Sequence, residues 1–182
     1  SGDVLIHLAE NPNRAQVNEI GSAYLSEAGA LANSLVSKGY QRIVYASSAV
    51  VYGDKHKRSH KPNDPVLATD VYSQSKLECE MLFDKNNGVI ARISNLYGVG
   101  MSTENVVSKI IQQVRCAGEI KVWNDKPIRD FLLVDDAVDA LVEMALGRAK
   151  GIYNVASGRA VSIGELIDAA LLSSGVDKQY TP

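Results

Sequence analysis

The stretch Arg42-Ile43-Val44-Tyr45-Ala46-Ser47-Ser48-Ala49-Val50-Val51-Tyr52-Gly53 decides how this chain folds. Its first half is a near-continuous apolar run rather than an alternating one, the pattern of a strand covered by helices on both faces. It then runs out into small hydroxylated residues and a Tyr-Gly turn. Outward from it, Val4-Leu5-Ile6-His7-Leu8, Val89-Ile90-Ala91-Arg92-Ile93 and Gly151-Ile152-Tyr153-Asn154-Val155 read as further strands. Amphipathic stretches lie between them at about 21–38, 71–86, 103–117, 135–147 and 162–174. Capping-type residues open the last two, Asp135 and Ser162, with Glu165 three positions after Ser162. Strands alternating with helices predict α/β architecture built on a parallel sheet.

Composition narrows the function. Of 182 residues 46% are hydrophobic and 22% charged, so a packed core is within reach and no tract is polar enough to stay disordered. Nineteen Lys and Arg against 21 Asp and Glu give a net charge of −2, which supplies no basic field for nucleic acid. Two cysteines, Cys79 and Cys116, are too few for a disulfide framework or a cysteine-ligated metal site. The reading is a reduced, cytoplasmic protein, without membrane span or signal peptide. The charged run Asp54-Lys55-His56-Lys57-Arg58-Ser59-His60-Lys61 reads as a solvated loop, with a phosphate- or partner-facing edge as its sharper alternative.

The chemistry concentrates in Ser48 and Tyr72-Ser73-Gln74-Ser75-Lys76. A spacing of four on a helix stacks Tyr72 and Lys76 on one face, one turn apart. A phenol titrates near 10 and must come down by roughly 3 units, about 4 kcal/mol, to act as a base near neutral pH. A single positive charge at about 5 Å supplies roughly 3 kcal/mol of that at an effective dielectric of 20. Ser48, at the strand end, would orient the hydroxyl whose proton Tyr72 removes. Alone, a Tyr-x-x-x-Lys spacing is weak, since about half a match arises by chance in a chain with eight tyrosines. Its neighbourhood is more specific, with Ser48 and Tyr72 standing 24 residues apart.

With Arg92-Ile93-Ser94-Asn95-Leu96-Tyr97-Gly98 and Arg129-Asp130-Phe131-Leu132-Leu133-Val134-Asp135-Asp136, these segments closely resemble the extended short-chain dehydrogenases, and within them the NAD-dependent epimerase/dehydratase group acting on nucleotide sugars. The resemblance extends from about Asp3 to Asp177. It implies an enzyme that uses NAD or NADP, with Tyr72 as catalytic base, Lys76 as its partner and a ligand of the nicotinamide ribose, and Ser48 orienting substrate. Leu8 and Ala9, in the segment matching His-x-Ala-Ala, would lie along the cofactor; Asn95 would touch the sugar nucleotide, and Arg129 its phosphates. Plainer alternatives are a turn cap for Asn95, an ion pair with Asp130 or Asp135 for Arg129, and a packed strand residue for His7. Dehydratases of the group carry an Asp-Glu pair directly after the catalytic hydroxyl; here Ala49 and Val50 stand there. That favours hydride transfer at a sugar hydroxyl, as in epimerases or dehydrogenases, over elimination. Cys79 is assigned no chemistry.

Two departures stand out. The resemblance places the start of the sequence at the family's fourth strand, without the Gly-x-x-Gly-x-x-Gly turn that meets a dinucleotide pyrophosphate. The second Ala of His-x-Ala-Ala is Glu10, and the family's Asn-x-x-Gly-Thr fits Asn18-Glu19-Ile20-Gly21-Ser22 only with a shifted helix. The expectation is therefore a partial Rossmann-like domain over 1–182, with substrate-side elements at about 97–130 and 157–182. An open edge along Val4–Leu8 predicts self-association or a sheet-completing segment. The resemblance implies pairing through the helices at 21–38 and 71–86. The alternative to an enzyme is a non-catalytic homologue acting as an oligomerising or ligand-binding module.

Overall fold

The computed structural model describes residues 3–54 and 58–181, and Lys55–Lys57 of the charged run lie outside that description. The strands read from the sequence form a four-stranded, all-parallel sheet: β1 (Val4–His7), β2 (Arg42–Ser48), β3 (Val89–Ile93) and β7 (Gly151–Val155), ordered β1-β2-β3-β7. Register is continuous, Ile6 opposite Val44, Tyr45 opposite Ile90 and Ala91 opposite Tyr153. All five residues of β3 are buried, as its unbroken apolar run requires.

The helix expected at about 21–38 is α2 (Ser22–Ser37), and a further helix that the sequence did not announce, α1 (Arg14–Ile20), precedes it and ends at Gly21. Gly21 takes φ +70° and ψ −143°, a backbone conformation that a side chain resists. Asn13 caps α1 by accepting from the Gln16 N–H. α2 buries Tyr24, Ala28 and Ala32, a stripe with a period of four. α3 (Val71–Asp84) opens on a capping box, Asp70 accepting from the Ser73 N–H while the Ser73 hydroxyl serves the Asp70 backbone. Its buried stripe includes Lys76, Cys79, Glu80 and Phe83, so two charges face inward with the apolar residues. The core of this unit joins Val17, Tyr24, Ala28 and Ala32 of the helices to Ile43, Tyr45, Ile90, Cys79 and Phe83.

A second compact unit comprises residues 95–136 and 156–182, while residues up to 94 and 137–155 make the first. Here β4 (Asn95–Tyr97) pairs parallel with β6 (Ile128–Leu133), which pairs antiparallel with β8 (Ala160–Ser162). A two-residue strand, β5 (Ile120–Lys121), pairs with β9 (Tyr180–Thr181). Helices α4 (Val106–Arg115) and α6 (Ile163–Ser174) pack together through Ile110, Val114, Ile163 and Ile167. Ser162 and Glu165 form the anticipated capping box. α5 (Val134–Leu146) starts one residue earlier than expected, placing Asp135 in its first turn rather than before it.

Deep in the first unit, Arg92 of β3 faces Glu80 of α3, both side chains 4% exposed. The guanidinium reaches the carboxylate through Nε at 3.0 Å and Nη2 at 2.7 Å. Ser47, opposite Arg92 in the sheet register, donates its hydroxyl to the same carboxylate, and Arg92 Nη1 donates to the Pro62 carbonyl at 3.1 Å. Tyr52 lies under the guanidinium, 4.8 Å from ring centre to Cζ, and stacks on His60. Removing one partner strands a buried charge. Glu80→Ala will therefore lower stability by about 3–5 kcal/mol, read as a reduced urea midpoint, whereas the apolar pair Glu80→Leu with Arg92→Met will cost far less.

Candidate active site

Ser48 ends β2 and caps the short 3-10 turn Ala49–Tyr52, its hydroxyl accepting from the Val50 N–H at 3.3 Å. α3 packs on β2 and on this turn, so Ser48, Tyr72 and Lys76 come from elements in contact. Tyr72 lies in the first turn of α3, and its backbone N–H donates to Asn18 Oδ1 at 3.0 Å. Asn18 Nδ2 donates in turn to Asp70 at 3.1 Å, so one α1 side chain fixes both the helix cap and the tyrosine backbone. The motif reading noticed Asn18 but not this role. Lys76 follows one turn on, with its ammonium 5.7 Å from the Tyr72 ring centre and 5.1 Å from that of Tyr45.

The ammonium is not isolated. It lies 2.7 Å from Glu10 Oε2, with both side chains nearly buried at 8% and 7% exposure, and it donates to the Ala46 carbonyl at 3.0 Å. Tyr45 donates its hydroxyl to the other Glu10 oxygen at 2.8 Å, and His7 Nε2 lies 3.7 Å from that oxygen. Burial pushes the Glu10 carboxyl up, but the His7 contact, the Lys76 charge and the Lys76 and Tyr45 hydrogen bonds outweigh it and hold the group at about 2. Burial, reinforced by the Glu10 charge, raises the Tyr45 phenol well above its ordinary value. The same two causes push the Cys79 thiol up to about 12, which keeps it protonated and inert. Sequence marked Glu10 only as a departure from a motif. In the structure its carboxylate, three residues after His7, is met by the Lys76 ammonium, the Tyr45 hydroxyl and the His7 ring.

Leu8 and Ala9, just past β1, are exposed. In the second unit Asn95 and Arg129 sit on neighbouring strands β4 and β6, both exposed. Asn95 Nδ2 donates to the Asp130 carbonyl at 3.1 Å, and Arg129 donates to the Ile128 carbonyl at 2.9 Å. The Asp130 carboxylate accepts from the Ser157 and Arg159 N–H groups and ties down the loop before β8. A cleft of about 630 Å³ in this unit is lined by Tyr97, Met101, Ser108, Ile111, Arg115 and Leu133 among others, and neither Asn95 nor Arg129 lines it. Among the described residues no cluster of His, Cys, Asp and Glu could hold a metal, and no helix is long and apolar enough to cross a membrane.

Residues 1–156 match the model of the NAD dependent epimerase/dehydratase family. The chain belongs to that family. A dTDP-glucose 4,6-dehydratase of Streptomyces griseus is 26% identical over 155 residues, 81% of this chain and 47% of that protein. RMD from Pseudomonas aeruginosa, solved with NADPH, superposes with a TM-score of 0.87 at 26% identity, over 98% of this chain and 67% of that one. MoeE5, solved with UDP-glucose and NAD, superposes with a TM-score of 0.85 at 24% identity, over 98% and 65% respectively, a likeness of fold. The chain spans about half the length of the curated relatives it matches.

The epimerase/dehydratase family is NAD-dependent, and of its solved neighbours MoeE5 holds NAD and RMD holds NADPH. The ammonium beside Tyr72 is chemically compatible with a hydroxyl-bearing group such as a ribose. A lysine ammonium has three N–H donors; that of Lys76 donates to the Ala46 carbonyl and is ion-paired with Glu10. Among the described residues no glycine turn follows β1 to receive a pyrophosphate.

Because Glu10 titrates lower in the folded protein than its ordinary 4.5, its ion pair contributes stability above pH 4.5 and loses it as the pH falls toward 2. The contribution is about 3 kcal/mol. Urea midpoints measured from pH 5 to pH 2.5 will fall more steeply for the wild type than for Glu10→Gln.

Proposed function

We propose that this chain carries the catalytic site of an NAD(P)-dependent epimerase or dehydrogenase acting on a hydroxyl of a nucleotide sugar. The observation that carries the reading is the placement of Tyr72 and Lys76 one turn apart on the face of α3 that packs against the strand ending in Ser48. In this reading Ser48 hydrogen-bonds the substrate hydroxyl, Tyr72 takes its proton as general base, and the Lys76 ammonium holds a ribose hydroxyl. The nicotinamide, when bound, supplies the hydride acceptor. Leu8 and Ala9 line the cofactor's path, while Asn95 contacts the sugar nucleotide and Arg129 its phosphates.

Elimination is a poorer match. The turn after Ser48 presents Ala49 and Val50, which can neither donate nor accept a proton, and a 4,6-elimination needs an acid and a base near the sugar. The unpaired cysteines, Cys79 buried and Cys116 exposed, support a reducing, cytoplasmic setting.

Calorimetry of this chain with NAD and NADP tests the reading: binding supports it, and no heat at millimolar dinucleotide overturns it for this polypeptide. Where the cofactor binds, Tyr72→Phe will abolish turnover and leave dinucleotide affinity nearly unchanged. A second reading, a ligand-binding or oligomerising module without turnover, draws on Glu10, whose charge opposes the one that activates the tyrosine.

The reading extends to association: β1 is an edge of the sheet, with no strand on its far side among the described residues, and an open edge favours pairing with another chain or with a sheet-completing segment. The oligomer reading, whether through that edge or through the faces of α2 and α3, predicts particles heavier than one chain in size-exclusion light scattering; a monomer at micromolar concentration would rule it out.

A further inference from the structure

We propose that Glu10 is a positioning residue that anchors Lys76 on the β2 side of the site and cancels the field of its ammonium at Tyr72. Each Glu10 oxygen is committed, one to Tyr45 and one to Lys76. The ammonium is held between that carboxylate and the Ala46 carbonyl, while the Tyr72 ring stands 5.7 Å away. A positive charge at that distance from a phenolate, at an effective dielectric of 20, is worth about two pH units, and the Glu10 carboxylate, 2.7 Å from the ammonium, opposes it with an effect of similar size. Two opposite charges 2.7 Å apart act on that phenol as a dipole, and their effects largely subtract. Lys76 therefore activates Tyr72 only when the Glu10 charge is neutralised or drawn away.

The other groups around the pair do not alter this over the range where a phenol titrates. His7 of β1 lies 3.7 Å from the Glu10 oxygen that Tyr45 also reaches, on the side away from the ammonium's own contact. Tyr24 of α2 and Tyr45 of β2 are both raised by burial, and Cys79 of α3 is held at about 12. The consequence for catalysis rests on Tyr72 being the base; the cancellation itself is electrostatic and holds whether or not the chain turns over.

The test is a pH titration of the protein labelled with 13Cζ-tyrosine, in which the Tyr72 signal is assigned by its loss in Tyr72→Phe. In Glu10→Gln its midpoint will fall by about two units relative to wild type; an unchanged midpoint overturns the proposal. Lys76 can be left buried without a counter-ion in that variant, so the double variant Glu10→Gln with Lys76→Met provides a version lacking both charges and free of that burden. The double variant will titrate as wild type does. A rise of about two units there would mean that Lys76 already acts on Tyr72 unopposed, and the proposal fails. Neither measurement needs cofactor or turnover, so a chain that does not bind dinucleotide can still support or overturn it.

Discussion

The structure turns on one stripe of α3 that buries two opposite charges, Lys76 and Glu80, against the parallel sheet. An uncompensated ion in such a place costs several kcal/mol, so each dictates what must stand opposite it. Glu80 requires Arg92 of β3, and with it Ser47 in register on β2. Lys76 requires Glu10, which fixes the path of the chain as it leaves β1. His7, Tyr45 and Phe83, buried rings with centroids 5.0 to 5.7 Å apart, add an apolar surround in which such charges are weakly screened. The orientation of α3 then follows, and with it the position of Tyr72.

That dependence explains what was legible in the sequence. Strands β1, β2, β3 and β7 are readable because a helix-covered strand is a dense run of β-branched residues, and α3 because Asp70 and Ser73 cap it where its apolar stripe begins. α1 escaped because its seven residues bury only Val17 and owe their helical form to the Asn13 cap and the Gly21 stop. Four of the five strands of the second unit escaped for another reason: β4, β5, β8 and β9 are two or three residues long, and nothing local distinguishes them from loop until a partner strand is present. At the site, Ser48, Tyr72 and Lys76 stood out through spacing. Glu10 and Asn18 act through contacts that span 66 and 54 residues, from Glu10 to Lys76 and from Asn18 to Tyr72, and no periodicity encodes such pairs.

The two buried pairs are chemically different, and the difference matches their places. Arg92 engages Glu80 through a planar fork with two nitrogens on one carboxylate, an arrangement that cannot be loosened one bond at a time without exposing a charge. Lys76 meets Glu10 at a single atom, and an ammonium on a flexible stem can exchange one acceptor for another. The rigid pair therefore lies where β2, β3 and α3 need a fixed register. The exchangeable pair lies beside the tyrosine, where a hydroxyl-bearing ligand could compete for the same ammonium. A lysine held this way keeps the freedom to change acceptors, which an arginine fork at position 76 would not.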